Sequence, residues 1–480
     1  MSTEPTFLIH DYETWGVDPM RDRAAQFAAL RVDQDLNPIA DPINITCRLS
    51  RDYIPSPRAA AVTGLSPQAT ETGLSEPEFF QRIHAELMKP GTCSCGYNSL
   101  VYDDVISRFG FWRNFIPPYA HGFGQNRSRW DILPLVRAAY AFRPEGLQWP
   151  VREDGQPSFR LEDLAAANGL AHDAHDALGD VRATLAILRL LREHQPKLVD
   201  YALTLRNKNR IRRLLEPRAP GFVLQVSAHT PARQRHLTAL ALLGPHPRSA
   251  GKPADKWSSV IAYDLRQDPQ ELIDMPADAI RERLFASGMA SFGLREIAFN
   301  KCPFIVRTEN PNPDMLEQAE LDLETIRARQ AQLAEPSIRQ AVQAKLAEIY
   351  DTEMPPAGDP DVALYDGFIS PKDAGTCAAI RQSEPAKLAS YAQQLDDPRL
   401  KTLLFRYRAR NWPETLSDEE QAQWQEFRRS RVLEGADGFL SADAAKAQDA
   451  EIAAETLSER QRQAVKDTLI WIEGLKFELM

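Results

Sequence analysis

Asp11 and Glu13 are the first residues of this chain that suggest a reaction. They close the run Phe7-Leu8-Ile9-His10-Asp11-Tyr12-Glu13, in which three apolar residues lead into an Asp-x-Glu pair. On a strand, alternate side chains share a face, so both carboxylates point the same way, about 7 Å apart. Carboxylate oxygens suit hard divalent cations such as Mg²⁺ or Mn²⁺. Paired-metal sites that cleave phosphodiesters need several such groups. An Asp-x-Glu pair is a short motif, and acidic residues also crowd exposed strand ends. Its weight depends on what else the chain brings to it.

Two later stretches offer partners. Tyr102-Asp103-Asp104 opens a helical pattern with Val105, Ile106 and Phe109 on its apolar side, just after a strand-like run at Thr92–Tyr97. A carboxylate in the first turn of a helix that follows a strand sits over the C-terminal end of the sheet, where open α/β sheets bind ligands. Ala174-His175-Asp176-Ala177-Leu178-Gly179-Asp180 leads into a long helix reaching about His194. Asp180 lies inside that helix and can face the sheet; His175, five residues earlier, stands at its entrance. The adjacent Asp104 and Asp176 have a local electrostatic role open to them at helix N-termini.

The elements that must hold these groups read as follows. Phe7–Asp11, Phe27–Val32 and Ile43–Leu49 form a meander of short strands, with Asn37-Pro38 and Asp41-Pro42 as turns. Ser66 is a helix N-cap with Pro67 behind it. Phe79, Phe80, Ile83 and Leu87 give residues 76–88 a helical period. Residues 131–142 form a further helix, 143–158 a Pro- and Gly-rich loop, and 159–168 a short helix closed by Gly169. From 219 to 308 the chain turns partly β, with strands at Gly221–Ser227, Ser258–Leu265 and Phe304–Val306. Met315 to Tyr350 is helical with a break at Pro336. Asp351–Asp361 carries three prolines and a glycine and reads as a linker. From Val362 the pattern is helical to the end, broken most clearly at Trp412-Pro413.

A chain of 480 residues suggests two to four domains, and 43% hydrophobic with 26% charged residues is ordinary for a water-soluble protein. No apolar run approaches the ~18 residues of a membrane span, and Met1–Pro5 carries no secretory signal. The five cysteines are scattered, as expected of reduced cytoplasmic thiols. A net charge of −10 argues against a generally basic nucleic-acid coat but leaves room for a local groove. Arg189–Arg218 deviates: nine basic residues against three acidic ones make it +6. It is either a solvated helix face or a patch that tracks phosphates.

Four carboxylates on a strand, a helix start and a later helix, with a histidine beside the last, resemble the His-containing branch of the DEDD exonuclease superfamily. Val62-Thr63-Gly64-Leu65 and Gly96-Tyr97-Asn98…Tyr102-Asp103 match it as well; a Phe more often precedes the third carboxylate, where this chain has Tyr102. Within that superfamily the chain is similar to the bacterial exonuclease I family. The similarity is carried by His10–Gly16, Gln26–Ala29, Ser128–Asp131, Arg143–Gly146, Pro157–Glu162 and Arg206-Asn207-Lys208. It continues through Asn300–Pro303, Leu364–Phe368 and Tyr407–Asn411, and so spans essentially the whole chain.

The resemblance implies an α/β ribonuclease-H-like exonuclease domain at 1–197. An SH3-like β-containing domain with a trailing long helix would follow at 198–350, and an all-helical C-terminal domain at 351–480. It implies processive 3′→5′ hydrolysis of single-stranded DNA to nucleoside 5′-monophosphates, in DNA repair and recombination. Asp11, Glu13, Asp103 and Asp180 would hold two Mg²⁺, with Mn²⁺ able to substitute. His175 would take the proton of the attacking water, so activity should fall below its reference pKa of ~6.5. Glu13, Arg108, Tyr119, Phe123, Arg137 and Arg160 would contact the strand. Trp15, Trp130 and Trp149 are further aromatic candidates, against the simpler role of core anchors. The acidic C-terminal tail of single-strand DNA-binding protein is the implied partner, with Arg206–Arg213 one candidate for holding it by charge. The protein is expected to be a cytoplasmic monomer. The alternatives are a DEDD exonuclease that trims RNA, and a catalytically silent DNA-binding scaffold. Paired-carboxylate glycoside chemistry fits worse, because four acids and a histidine imply metals.

Overall fold

The acidic pair lies on a central strand. β1 (Thr6–Thr14) pairs antiparallel with β2 (Ala24–Val32), which pairs antiparallel with β3 (Ile43–Thr46). On its other side β1 runs parallel to β4 (Thr92–Gly96). With β5 (Ser128–Asp131) the sheet order is β3-β2-β1-β4-β5. Phe7, Leu8 and Ile9 are buried because a central strand is covered on both faces. The computed structural model describes residues 4–170, 176–216, 221–285, 292–351 and 355–480. They fall into two units, one made of Met1–Arg129, His172–Leu185 and Pro355–Met480, the other of Trp130–Ala171 and Ala186–Met354.

Six helices follow in the N-terminal part: α1 (Pro57–Thr63), α2 (Glu76–Leu87), α3 (Asp103–Arg113), α4 (Ile132–Phe142), α5 (Leu161–Ala167) and α6 (Ala177–His194). α1 ends where Gly64 takes the left-handed conformation that closes a helix without a Cβ penalty. α2 starts on a reciprocal capping box between Ser75 and Glu78 and buries Phe79, Phe80, Ile83 and Leu87. Those side chains pack with Leu8, Tyr12, Phe27, Ile106 and Phe111 in one cluster, which ties α2 and α3 to the sheet. Gly110 lets the two helices approach: a Cβ there would lie 2.0 Å from the Phe80 ring.

The C-terminal segment belongs to the same unit as β1. Helices at Pro371–Ile380, Pro398–Asn411, Asp418–Arg429, Ala442–Ile452 and Glu459–Leu479 make it all-helical apart from short turns. Leu364, Ile380, Leu388, Leu403 and Tyr407 share a core with Trp15, Phe109, Trp112 and Phe115. A second bond between the two segments is ionic. Asp52, Asp359 and Asp361 are fully buried among Arg23, Arg406, Arg410 and Arg431. The reading of 351–361 as a linker therefore needs correction. Its last residues, Asp359 and Asp361, are buried anchors, and the last of its three prolines, Pro360, starts a tight turn at Pro360–Asp366.

The other unit contains a second sheet, wholly antiparallel, in the order β10-β6-β7-β8-β9. Its strands are β6 (Phe222–Val226), β7 (Leu237–Pro245), β8 (Ser259–Asp264), β9 (Leu294–Ala298) and β10 (Phe304–Val306). β7 and β9 escaped the sequence reading. β7 is a near-continuous apolar run, buried almost throughout, so it lacks the alternation that marks a half-exposed strand. The helical stretch after it is three helices, Pro313–Gln318, Leu323–Ala334 and Pro336–Ile349, so it breaks once more than Pro336 announced. Among the described residues no helix is long and apolar enough to cross a membrane.

Candidate active site

Asp11 and Glu13 project from one face of β1, opposite Ala28 and Gln26 of β2. Between Glu13 and Thr14 the register slips: Glu13 faces Gln26, but Thr14 faces Ala24. Ala25 is the extra residue, and its carbonyl accepts the Cys47 N–H at 2.8 Å instead. Such a bulge increases local twist and re-aims the neighbouring side chain. Asp180 comes from the first turn of α6, whose start is braced by the Asp180 N–H donating to the Asp176 carbonyl at 3.0 Å. Asp176 in turn accepts from Gln26 Nε2 at 3.3 Å.

One carboxylate oxygen each from Asp11, Glu13 and Asp180 lie within 4.8 Å of one another. Asp103 opens α3 beside them; its Oδ1 accepts the Tyr12 backbone N–H at 3.1 Å. Burial, then the charges of Asp103, Glu13 and Asp180, push the Asp11 carboxyl well above its ordinary range. Burial, followed by Asp180, Asp103 and Asp176, raises Glu13 to about 8, with Arg460 opposing. Acids gathered in this way repel one another unless a cation sits among them. The all-oxygen, anionic donor set fits a hard divalent ion. His175 lies outside the described residues.

Asp104 plays a different part from Asp103. It is buried and accepts from Arg108 at 2.8 Å, from Arg129 at 2.5 Å and from His121 Nε2 at 3.1 Å. Burial opposes its ionisation, but the His121 hydrogen bond and the two guanidiniums outweigh burial and hold it well below the usual carboxylate range. An ionised carboxylate only accepts, so His121 must donate from Nε2.

Arg108 stands over the Tyr119 ring, 5.3 Å from its centre, as well as on Asp104. Phe123 is 62% exposed. Trp15 and Trp130 are buried in the core, and Trp149 stacks edge-on with Tyr140. Arg137 and Arg160 belong to the other unit; Arg160 is exposed and paired with Glu162 at 2.5 Å. Sequence reasoning gave no role to two aromatics of the C-terminal segment. Tyr365 packs edge-on against Phe109 of α3, and Phe368, three residues past it on the far side of Gly367, is 96% exposed. Their one signal was the Leu364–Phe368 stretch, noticed only as a match.

Fold and site define a metal-dependent exonuclease: the Exonuclease family model matches residues 8–188, followed by the Exonuclease I SH3-like domain over 206–352 and the Exonuclease I C-terminal domain over 358–475. The chain belongs to the exodeoxyribonuclease I family. It is 39% identical over 446 residues to the exodeoxyribonuclease I of Haemophilus influenzae, covering 90% of this chain and 92% of that one. Among solved structures it is similar to an exonuclease I from Methylocaldum szegediense, at 38% identity and a TM-score of 0.90, over 98% and 99% of the two chains. It is also similar to E. coli exonuclease I bound to a 5cy-dT13 oligonucleotide, and to an SSB/exonuclease I structure with an inhibitor. Both are 34% identical with a TM-score of 0.88, over 98% of this chain and all of the other.

Proposed function

We propose that this chain hydrolyses single-stranded DNA from its 3′ end, processively, releasing nucleoside 5′-monophosphates in DNA repair and recombination. The convergence of Asp11, Glu13 and Asp180 within 4.8 Å, with Asp103 alongside, is the observation that carries this reading. Asp11, Glu13, Asp103 and Asp180 would hold two Mg²⁺, for which Mn²⁺ can substitute. Such ions, when bound, neutralise charge on the scissile phosphate and acidify the attacking water. His175 takes the proton of that water as it attacks phosphorus. The P–O3′ bond breaks, and the leaving oxygen, once protonated, becomes the new 3′-hydroxyl. The protein works as a monomer in the cytoplasm.

Strand binding without sequence preference needs cations for phosphates and ring faces for bases. Arg108, Tyr119, Phe123, Arg137 and Arg160 supply both kinds, and Tyr365 and Phe368 extend the aromatic set. Purified protein with Mg²⁺ should shorten a 5′-labelled single-stranded DNA oligonucleotide into a ladder from the 3′ end. EDTA should abolish the ladder, and the same sequence as duplex should resist. Equal digestion of RNA would reassign the chain to RNA trimming, and tight binding without any digestion would make it a scaffold.

The acidic tail of single-strand DNA-binding protein has a fitting receptor in the second unit. A cavity of about 680 Å³ is lined by Phe142, Arg143, Lys197, Tyr201, Phe304 and Val306 among others. Arg143 and Lys197 are exposed at its edge, and the Phe142 and Tyr201 rings pack on Phe304. Cations beside an apolar slot suit an acidic peptide that ends in an apolar residue. Arg143→Ala should weaken binding of such a synthetic peptide about tenfold or more, the worth of a hydrogen bond to a charged group. Loss on Arg212→Ala with Arg143→Ala unaffected would place the tail on the Arg206–Arg213 run.

A further inference from the structure

Among the described residues, three sets of polar contacts tie the start of α3 to β1 and the turn after it, and one of them depends on a hydroxyl that takes no part in the core. Deepest is the buried Tyr12 hydroxyl against Ser107 Oγ at 2.9 Å. Next is the Tyr12 N–H on Asp103 itself. At the mouth of the site, Tyr102 Oη lies 2.7 Å from the Gly16 carbonyl and 2.7 Å from Thr14 Oγ1, and Thr14 Oγ1 lies 2.8 Å from the same carbonyl. Three close contacts share two protons. Whichever hydroxyl donates to Gly16, the other can donate to its neighbour, so the triangle is satisfied in either sense.

We infer that the Tyr102 hydroxyl, with Thr14 and the Gly16 carbonyl, is a latch that sets the spacing between the Asp11/Glu13 strand and Asp103, and so tunes metal affinity. Tyr102 is the residue before Asp103, and its carbonyl accepts the Val105 and Ile106 N–H groups that open α3. Holding its ring therefore holds the first turn of the helix. Thr14 is the residue after Glu13, at the bulge where the β1–β2 register slips. A bulge loosens the local ladder, so Glu13 needs a second restraint at that point. Gly16 is itself fixed, because Asp22 packs so close that a Cβ at Gly16 would lie 2.1 Å from its carboxylate. Asp22 is in turn pinned by Tyr53 Oη at 2.7 Å and by the Asp18 N–H at 2.7 Å. The latch thus bears on a loop that these contacts hold in place. Tyr102 and Thr14 are positioning residues, which act through the acids beside them.

The inference rests on the reading of the four acids as metal ligands, and one experiment separates the two. Mn²⁺ binding to the full-length protein without DNA is followed by calorimetry in wild type, Tyr102→Phe, Thr14→Val, the double variant and Asp11→Asn. Tyr102→Phe is expected to weaken Mn²⁺ about tenfold, the scale on which groups that orient ligands act. Thr14→Val should do the same, and the double variant should be far less than the product of the two, as for groups that act as a unit. The Mg²⁺ concentration for half-maximal activity should rise in step, while the KM for DNA at saturating Mg²⁺ stays put. Mn²⁺ affinity within twofold of wild type in Tyr102→Phe, with Asp11→Asn having lost it, overturns the latch and leaves the metal site standing. Undiminished Mn²⁺ binding in Asp11→Asn overturns the metal site and the latch with it. A lowered melting temperature in Tyr102→Phe that saturating metal does not restore would mean that Tyr102 merely supports the fold, and would overturn the latch.

Discussion

Asp11→Asn is expected to abolish nuclease activity, by a factor on the order of 10³ or more, while raising the melting temperature of the metal-free protein. Both effects have one cause. Asp11 sits among Glu13, Asp103 and Asp180, and its carboxyl is pushed up by burial and then by those three charges. Removing one charge relieves the repulsion and removes a proposed metal ligand. The pH dependence follows in sign. Glu13 titrates near 8 in the folded chain against an ordinary 4.5. A raised carboxyl pKa means that the folded form keeps a proton the unfolded form has lost, so its contribution to stability is complete below 4.5 and disappears as pH rises through 8. Metal-free wild type should therefore lose thermal stability between pH 5 and 8. Added Mg²⁺ should restore it, more at pH 8 than at pH 6, because binding to the folded state alone stabilises it. Asp11→Asn should show less of the slope and little of the restoration. Thermal melts in EDTA and in Mg²⁺, at the two pH values, test all of this; a wild type indifferent to Mg²⁺ at pH 8 would count against the site.

The second large effect lies in the C-terminal segment. Asp361→Ala should cost about 3–5 kcal/mol, the range for leaving buried charges uncompensated. Asp361 is 1% exposed and meets Arg410 at 2.5 Å, Arg431 at 2.7 Å, Arg23 at 3.2 Å and Arg406 at 3.4 Å. Without it, Arg406, Arg410 and Arg431 are left with Asp52 and Asp359. Arg431 has further support between the Phe427 and Phe439 rings, but Arg23 has Glu76 at 3.4 Å as its remaining partner among the described residues. Arg23 is the residue whose carbonyl accepts the Trp15 N–H at 2.9 Å, just past Glu13, so the loosening reaches the end of β1. Burial opposes the ionisation of Asp361, but Arg410, Arg406, Arg23 and Arg431 outweigh it and hold the carboxyl well below the usual range. With a depressed pKa, the stabilisation is full above about pH 4 and is lost as pH falls below that. Wild type should accordingly weaken below pH 4, and Asp361→Ala should show a flatter acid limb from a lower plateau. Urea unfolding at pH 7 and pH 3.5 measures both. Equal midpoints for the two proteins at pH 7 would refute the role of the cluster.

The acids proposed to hold metal were legible because strand alternation and helix position are local properties. Asp11 and Glu13 share a face wherever a strand forms, and a carboxylate at Asp103 opens a helix after β4 whatever surrounds it. The three-part order, from α/β exonuclease domain to SH3-like module to helical C-terminal domain, was readable from the stretches that match the exonuclease I family. Arg108 and Asp104 are four residues apart on α3 and pair locally, but that Arg129 and His121 reach the same carboxylate from a later strand and turn is not written near them. Asp359 and Asp361 looked like linker residues because nothing local announces that Arg23, from a hairpin more than 300 residues earlier, will meet them. The bulge at Ala25 and the Tyr102–Thr14–Gly16 triangle are of the same kind. Side-chain period and helix caps are written in a few neighbouring residues. Which charge is buried against which, and how far two acid-bearing segments stand apart, depends on chains brought together from distant parts of the sequence, and those are settled only when the elements pack.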